Sequence, residues 1–395
     1  MIVRTPRVFR EKQNIETYVS HEVREIDIER QRIRVQRKED GKTWWEPYDH
    51  LMIATGSVPI RIPVQGSDSE GIFGVNTYES GIKLNRFLDD ASAKNAVVIG
   101  GGYIGLEMAE NLIKRGLSVS LVELNKEVMS TLDPDMGKLV SDALIEIGVK
   151  LFREERFEGF ETDNGRVRAV VTDKRTLPAD VVVLGMGVRP NTELAQKAGI
   201  PIGPSKGIRV NPLLQTDVEN VWAGGDCAES IHLVSGKPVH IPLGTVANKH
   251  GRVAGINIGG GYATFPGVVG TAMSKICAVE VARTGLGEKE VQRIGLHYIT
   301  SVTRTRTRAG YYPNADSISV KLIAEKNTGR LLGAQIVGRE GAAKRIDILA
   351  TALHRRMNLQ EIMDLDLSYA PPYSPVWDPV ALAARVALKK LQPDT

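Results

Sequence analysis

Gly100, Gly102 and Gly105 directly follow the apolar run Ala96-Val97-Val98-Ile99, and Glu123 stands about 20 residues beyond them, at the end of a second apolar run, Ser118 to Val122. A glycine loop of this spacing lets backbone N–H groups approach a pyrophosphate at the start of a helix, whose dipole favours negative charge. Ile104 stands between the last two glycines. The carboxylate of Glu123 suits ribose hydroxyls and would repel a 2'-phosphate, so the loop is expected to take NADH in preference to NADPH. A second constellation is Asn220-Val221-Trp222-Ala223-Gly224-Gly225-Asp226, a short apolar strand that ends in a glycine turn with an acid beyond it. Asp226 could cap a turn or bind a sugar-phosphate chain.

These residues must be positioned by strands and helices, and the chain supplies them in two related sets. Asp49 to Pro59 recurs as Asp180 to Pro190, with aspartate, branched run, glycine and proline in register, so that Gly56 matches Gly187. Residues 1 to 85 read as short strands, at Asn14 to Val23, Ile33 to Val35 and Leu51 to Ala54, with a turn at Asp40-Gly41 and no helix of useful length before Thr77. Residues 86 to 207 alternate strand, glycine loop, helix and strand. Residues 208 to 283 add a strand and a helix from about Thr245 to Asn257. Residues 284 to 395 carry strands at Ser317 to Leu322 and Leu331 to Val337, then an amphipathic helix, and read as a separate α+β domain. The fold class is α/β, with two dinucleotide-binding (Rossmann-like) modules and this C-terminal domain.

The composition is that of an ordinary globular protein, with 42% apolar and 25% charged residues and a net charge of +4. Such a small excess gives no case for nucleic acid, and no apolar run approaches the length of a membrane span or a signal peptide. Cys227 and Cys277 offer neither a disulfide framework nor a zinc site, no other metal site is expected, and a reducing cytoplasmic setting is the default. Thr303 to Arg308 alternates with strand period, which reads as a solvated face carrying three arginines. Lys344-Arg345, after a glycine-containing turn, is expected to be exposed to solvent.

The Asp226 segment is similar to the flavin-binding segment of the pyridine nucleotide-disulfide oxidoreductase family, where the aspartate binds FAD. Ala54-Thr55-Gly56 resembles the family's first signature beside FAD, and His21-Glu22-Val23 the strand whose backbone, at Val23, meets the adenine. Gly187 and Pro190 match the turn of the NAD module. Within the family, Ala309-Gly310-Tyr311-Tyr312-Pro313 and Tyr369-Ala370-Pro371-Pro372-Tyr373-Ser374 resemble segments of the coenzyme A-disulfide reductases, with NADH oxidases, peroxidases and persulfide or polysulfide reductases nearby. The resemblance implies a homodimer using FAD and NADH or NADPH. Phenols among Tyr311, Tyr312 and Tyr369 would assist reduction of coenzyme A disulfide or a related persulfide; tyrosines that merely pack a dimer interface are an equally good reading of these segments.

The resemblance begins partway into the family's sequence. It implies that a first glycine-rich FAD loop with its helix, and the redox cysteine after it, are missing, a stretch of roughly 60 to 70 residues. The chain as it stands is therefore expected to hold FAD weakly and to be impaired as a reductase. A non-catalytic NADH-binding remnant is the alternative outside enzymes. The sequence leaves open whether Met1 is a natural start.

Overall fold

The computed structural model describes residues 4–90 and 92–391, so the expectation attached to Met1 lies outside the described residues. Two compact units form. One takes residues up to 57, 190–231 and 238–267; the other takes 58–189, 232–237 and those from 268 onward.

In the first unit, His21–Asp27, Arg32–Arg37 and Thr43–Pro47 make a three-stranded antiparallel sheet. Leu51–Ile53 pairs in parallel with Val221–Ala223, so the strand before Ala54-Thr55-Gly56 lies beside the strand before Asp226. Ile26, Ile53, Ile200, Ile208, Val221 and Ala223 are the centre of its core. Two sequence expectations are corrected here. A helix, Pro6–Gln13, precedes Thr77: Thr5 accepts the Val8 N–H at 3.4 Å, proline occupies the first turn, and Asn14 closes the helix at φ 52°. The first strand begins at His21 rather than Asn14, because Asn14 and Ser20 both take positive φ, at 52° and 57°, which breaks an extended run.

The second unit is built on an all-parallel sheet in the order Ile72–Gly74, Val181–Leu184, Asn95–Ile99, Ser118–Val122, Lys150–Phe152. Its central strands are continuous branched runs, as a sheet covered on both faces requires. Helix Tyr103–Lys114 buries Leu106, Ala109 and Leu112 against one face, and helix Pro134–Glu146 adds Met136, Val140 and Leu144 to the same core. The same unit contains a five-stranded antiparallel sheet, in the order Ala272–Ile276, Val279–Gly285, Leu331–Gly338, Ser317–Glu325, Tyr298–Arg306. Helices Ile346–His354 and Pro379–Leu388 cover one of its faces. The α/β class, with two Rossmann-like regions and a C-terminal α+β domain, is as the sequence leads one to expect. No helix among the described residues is long and apolar enough to cross a membrane.

Leu106 is completely buried in the core that seats the helix after the glycine loop. Leu106→Ala should cost about 2–5 kcal/mol in urea denaturation, whereas Leu124→Ala, at an exposed position, should change stability by less than about 0.5 kcal/mol. Equal effects of the two substitutions would show that this core does not hold the unit together.

Candidate functional site

The glycine loop is shaped by contacts that only glycine permits. Gly100 adopts φ +99°, and a Cβ there would lie 2.6 Å from the Gly185 carbonyl oxygen. A Cβ on Gly105 would lie 2.0 Å from the Gly100 carbonyl oxygen. The helix therefore starts directly against the strand end, with Gly102 as its N-cap and Ile104 in its first turn. Such a cradle fits the pyrophosphate of a dinucleotide. The Tyr103 hydroxyl, in the same first turn, is buried with no hydrogen-bond partner among the described residues.

Glu123 is 6% exposed, and its carboxylate is largely committed. One oxygen accepts the Gly101 N–H at 2.7 Å; the other accepts the Asn125 N–H at 2.8 Å and the Asn125 side-chain amide at 2.6 Å. Of about four acceptor positions on a carboxylate, one is left for a ribose hydroxyl. Gly187, at φ +88°, ends the turn after Val181–Leu184, and its counterpart in the internal repeat, Gly56, takes φ +69°. The two copies of the repeat thus share a backbone conformation as well as a sequence.

In the first unit, Asp226 sits in a short turn of 3-10 helix, Gly225–Cys227, at the end of Val221–Ala223. Its carboxylate accepts the Ser57 hydroxyl at 3.0 Å and its carbonyl accepts from His240 Nε2 at 2.9 Å. Gly225 N–H donates to His250 Nδ1 at 3.2 Å, and His250 Nε2 lies 3.3 Å from Ser230 Oγ. An N–H group can only donate, so Nδ1 is the lone-pair nitrogen and Nε2 carries the proton. The Ala54-Thr55-Gly56 turn is tied to Asn191: Thr55 Oγ1 donates to its carbonyl at 2.6 Å, and its N–H donates to the Gly56 carbonyl at 2.9 Å. Val23 pairs with Val35 and packs partly on the core. A partly exposed carboxylate at a strand end, beside Gly224, where a Cβ would lie 2.8 Å from Met52, fits the sugar-phosphate chain of FAD. Ser57, Asn191, His240 and His250 escaped the sequence reading, because each is recognised only through a partner distant in the chain.

On the C-terminal domain, the Tyr311 and Tyr369 phenols are neighbours. The Tyr369 hydroxyl, first, and partial desolvation raise the Tyr311 pKa. Tyr311 is 77% exposed and Tyr369 48%, and Tyr312 lies alongside, its N–H donating to the Ala309 carbonyl at 2.8 Å. Arg345 joins the two segments, and this corrects the expectation that it is solvent-exposed: its side chain is only 12% exposed. Its guanidinium donates to Asp378 at 3.1 Å, the Thr307 carbonyl at 2.9 Å, the Tyr373 carbonyl at 2.7 Å, and also the Gly341 carbonyl. Lys344 is exposed and pairs with Asp347. Arg304 and Arg306 lie exposed along the edge strand, while Arg308 falls beyond its end and pairs with Glu340 at 3.8 Å.

Both cysteines are withdrawn from solvent, Cys227 fully and Cys277 in part. Buried Cys227 donates to the Gly224 carbonyl at 3.2 Å. Cys277 sits in the hairpin turn between Ala272–Ile276 and Val279–Gly285, where burial pushes its thiol up to about 11. Asp133, Asp135 and Glu288 bring three carboxylates together, but the ammonium of Lys321 fills the space between them, so the trio has a cation of its own.

Residues 3–251 match the pyridine nucleotide-disulphide oxidoreductase family, and residues 271–380 match the dimerisation domain of that family, which supports a homodimer. An NADH oxidase of Methanocaldococcus jannaschii is 37% identical over 392 residues, 99% of this chain and 87% of that protein. An NAD(P)H coenzyme A polysulfide/persulfide reductase of Pyrococcus horikoshii is 37% identical over 390 residues, 96% of this chain and 84% of that one. A solved NAD-dependent persulfide reductase from A. fulgidus superposes with a TM-score of 0.95 at 41% identity, covering 98% of this chain and 71% of that one.

Burial holds the His250 pKa at about 4, below that of an unfolded histidine. The unfolded chain therefore takes up the proton first, and stability that is complete above about pH 6.5 is lost as pH falls toward 4. His250→Gln should flatten the stability–pH slope between these limits by up to one proton, about 1.4 kcal/mol per pH unit. Denaturation at pH 5 and pH 7 checks this; an unchanged slope would mean that the imidazole is not neutral in the fold.

Proposed function

The chain belongs to the pyridine nucleotide-disulphide oxidoreductase family, and on that premise we propose that it reduces coenzyme A disulfide or a related persulfide with NADH. The observation that carries this reading is the neighbouring pair Tyr311 and Tyr369, two exposed phenols on segments whose backbone Arg345 joins at the Thr307 and Tyr373 carbonyls. The reaction balances as disulfide plus NADH plus a proton, giving two thiols and NAD+. When bound, FAD supplies the two-electron chemistry that links nicotinamide to sulfur.

The chain's own residues bind, orient and move protons. The free backbone N–H groups at the helix start, from Gly102 to Gly105, would hold the pyrophosphate, and Glu123 would take one ribose hydroxyl on its remaining lone pair. Asp226, oriented by Ser57, holds the sugar chain of FAD in the other unit. An exposed phenol, protonated at neutral pH, can hydrogen-bond a departing thiolate and help to protonate it. The second phenol beside it helps to orient the first, and water restores the proton. Cys227 and Cys277 take no part in this reading.

A second reading, transfer of electrons to dioxygen, is favoured by the burial of Cys227 and by the raised pKa of Cys277. Oxygen consumption by the purified protein with NADH, unchanged by coenzyme A disulfide, would decide for it.

Tyr369→Phe keeps the ring and removes the hydroxyl. Turnover with coenzyme A disulfide should fall roughly ten- to a hundredfold while NADH affinity is unchanged. Normal turnover combined with a dissociated dimer would assign the tyrosines to packing instead. Titration should also show NADH bound at least about tenfold more tightly than NADPH, since a 2'-phosphate meets the carboxylate of Glu123 and the apolar Leu124 beside it. Equal affinities would remove Glu123 from the selecting role.

A further inference from the structure

Gly101, the middle residue of the pyrophosphate loop, is gripped from both sides by the segment after the second strand. Its N–H donates to Glu123 at 2.7 Å, and its carbonyl accepts the Met129 N–H at 2.7 Å. A Cβ on Gly101 would lie 2.8 Å from Val128, so the fit allows no slack. The position of this loop therefore depends on what fixes residues 123 to 133.

The far end of that segment is fixed by the C-terminal domain. Arg283, Gln335 and Lys321 lie on three neighbouring strands of the antiparallel sheet, in register: Arg283 opposite Gln335, and Gln335 opposite Lys321. Paired residues on adjacent strands present their side chains to the same face. All three side chains of this row meet one short turn. Arg283 donates to the Thr131 carbonyl at 2.8 Å. Gln335 makes two bonds to Asp133, accepting its N–H at 2.9 Å and donating to its carboxylate at 2.7 Å. Lys321 Nζ lies 3.1 Å from Asp133, 2.7 Å from Asp135 and 2.5 Å from Glu288. Asp133 also accepts the Glu288 N–H at 3.0 Å. Lys321 is 1% exposed, so its charge has no recourse to water.

We propose that this row is a buttress for the pyrophosphate loop: Arg283, Gln335 and Lys321 are positioning residues that set the affinity for the nicotinamide dinucleotide through residues 129 to 133 and Gly101. A cradle made of backbone N–H groups binds through their placement, and placement is lost when the supporting turn is free to move. A C-terminal domain so placed has a function in cofactor binding besides assembly.

The test uses the full chain with Lys321→Met, and NADH binding is followed by fluorescence titration at a temperature well below the melting transition. The Kd should rise about three- to thirtyfold, and amide hydrogen exchange at Gly101 and Met129 should quicken. Lys321→Arg, which keeps the charge, should restore the Kd to within about threefold of the wild-type value. Arg283→Met, which leaves the Lys321 cluster intact, tests the same row should Lys321→Met fail to fold, and should weaken NADH severalfold. A folded Lys321→Met, or in its place a folded Arg283→Met, that binds NADH with the wild-type Kd overturns the proposal. So does a Lys321→Met in which the melting temperature falls while affinity and exchange at Gly101 stay as they were.

Discussion

The dinucleotide cradle depends on a close approach of backbone to backbone at three glycines. A Cβ on Gly185 would come within 2.9 Å of both the Gly100 carbonyl oxygen and the Gly105 Cα, and one on Gly105 within 2.0 Å of that same oxygen. With no side chains at these points, helix Tyr103–Lys114 can begin at the very end of strand Asn95–Ile99. Its first N–H groups then face outward with no intrahelical partner, which is the physical origin of the anion site. The neighbouring carboxylate is drawn in beneath the loop by the same compactness, and this is why Glu123 offers a ribose one acceptor position rather than two oxygens.

The internal repeat solves the same problem twice with different supports. Gly56 and Gly187 occupy equivalent left-handed positions. Around Gly187 the turn follows an interior strand of a five-stranded parallel sheet, where neighbouring backbone on both sides supplies the hydrogen bonds. Around Gly56, where Leu51–Ile53 pairs with Val221–Ala223, side chains contribute the support: Thr55 and Asn191 hold the first turn, and His240 and His250 hold the second. A buried neutral imidazole is well suited to this, because one nitrogen accepts from Gly225 while the other donates to Ser230. The same choice makes the turn sensitive to acid, which a turn held only by backbone groups would not be.

Strand, glycine loop and helix were legible because their signals are local: a branched run, glycines at fixed spacing and a helical period within a few residues. The supports were not legible, because their partners are far apart in the chain. Lys321 meets Asp135 across 186 positions, and Thr55 meets Asn191 across 136. Arg345 shows why composition misleads. A Lys-Arg pair beside a glycine-containing turn has the appearance of a solvated corner, yet a single guanidinium with five donors can satisfy several carbonyls at once, and that makes its burial affordable. The helix Pro6–Gln13 was missed for a different reason. It buries no residue, so no apolar period marks it, and only Thr5 and Pro6 announce its start.

Arg345 and the tyrosines also bear on how assembly and chemistry share one region. The residues that match the family's dimerisation domain carry Tyr311, Tyr373, Val376 and Trp377 exposed, with the Arg345 guanidinium holding the backbone at Thr307 and Tyr373. An exposed phenol in water is a weak acid whose hydrogen bonds compete with solvent. Covering it lowers the local dielectric and strengthens every polar contact it makes. In the proposed reading a phenol must be free enough to meet a substrate sulfur and dry enough to matter when it does. Rigid backbone anchors under an open aromatic surface meet both needs, since a partner subunit can cover the rings without having to order the loops that carry them. A disordered tyrosine loop would have to be ordered at the moment of association, and the affinity spent on ordering it would be lost to the dimer.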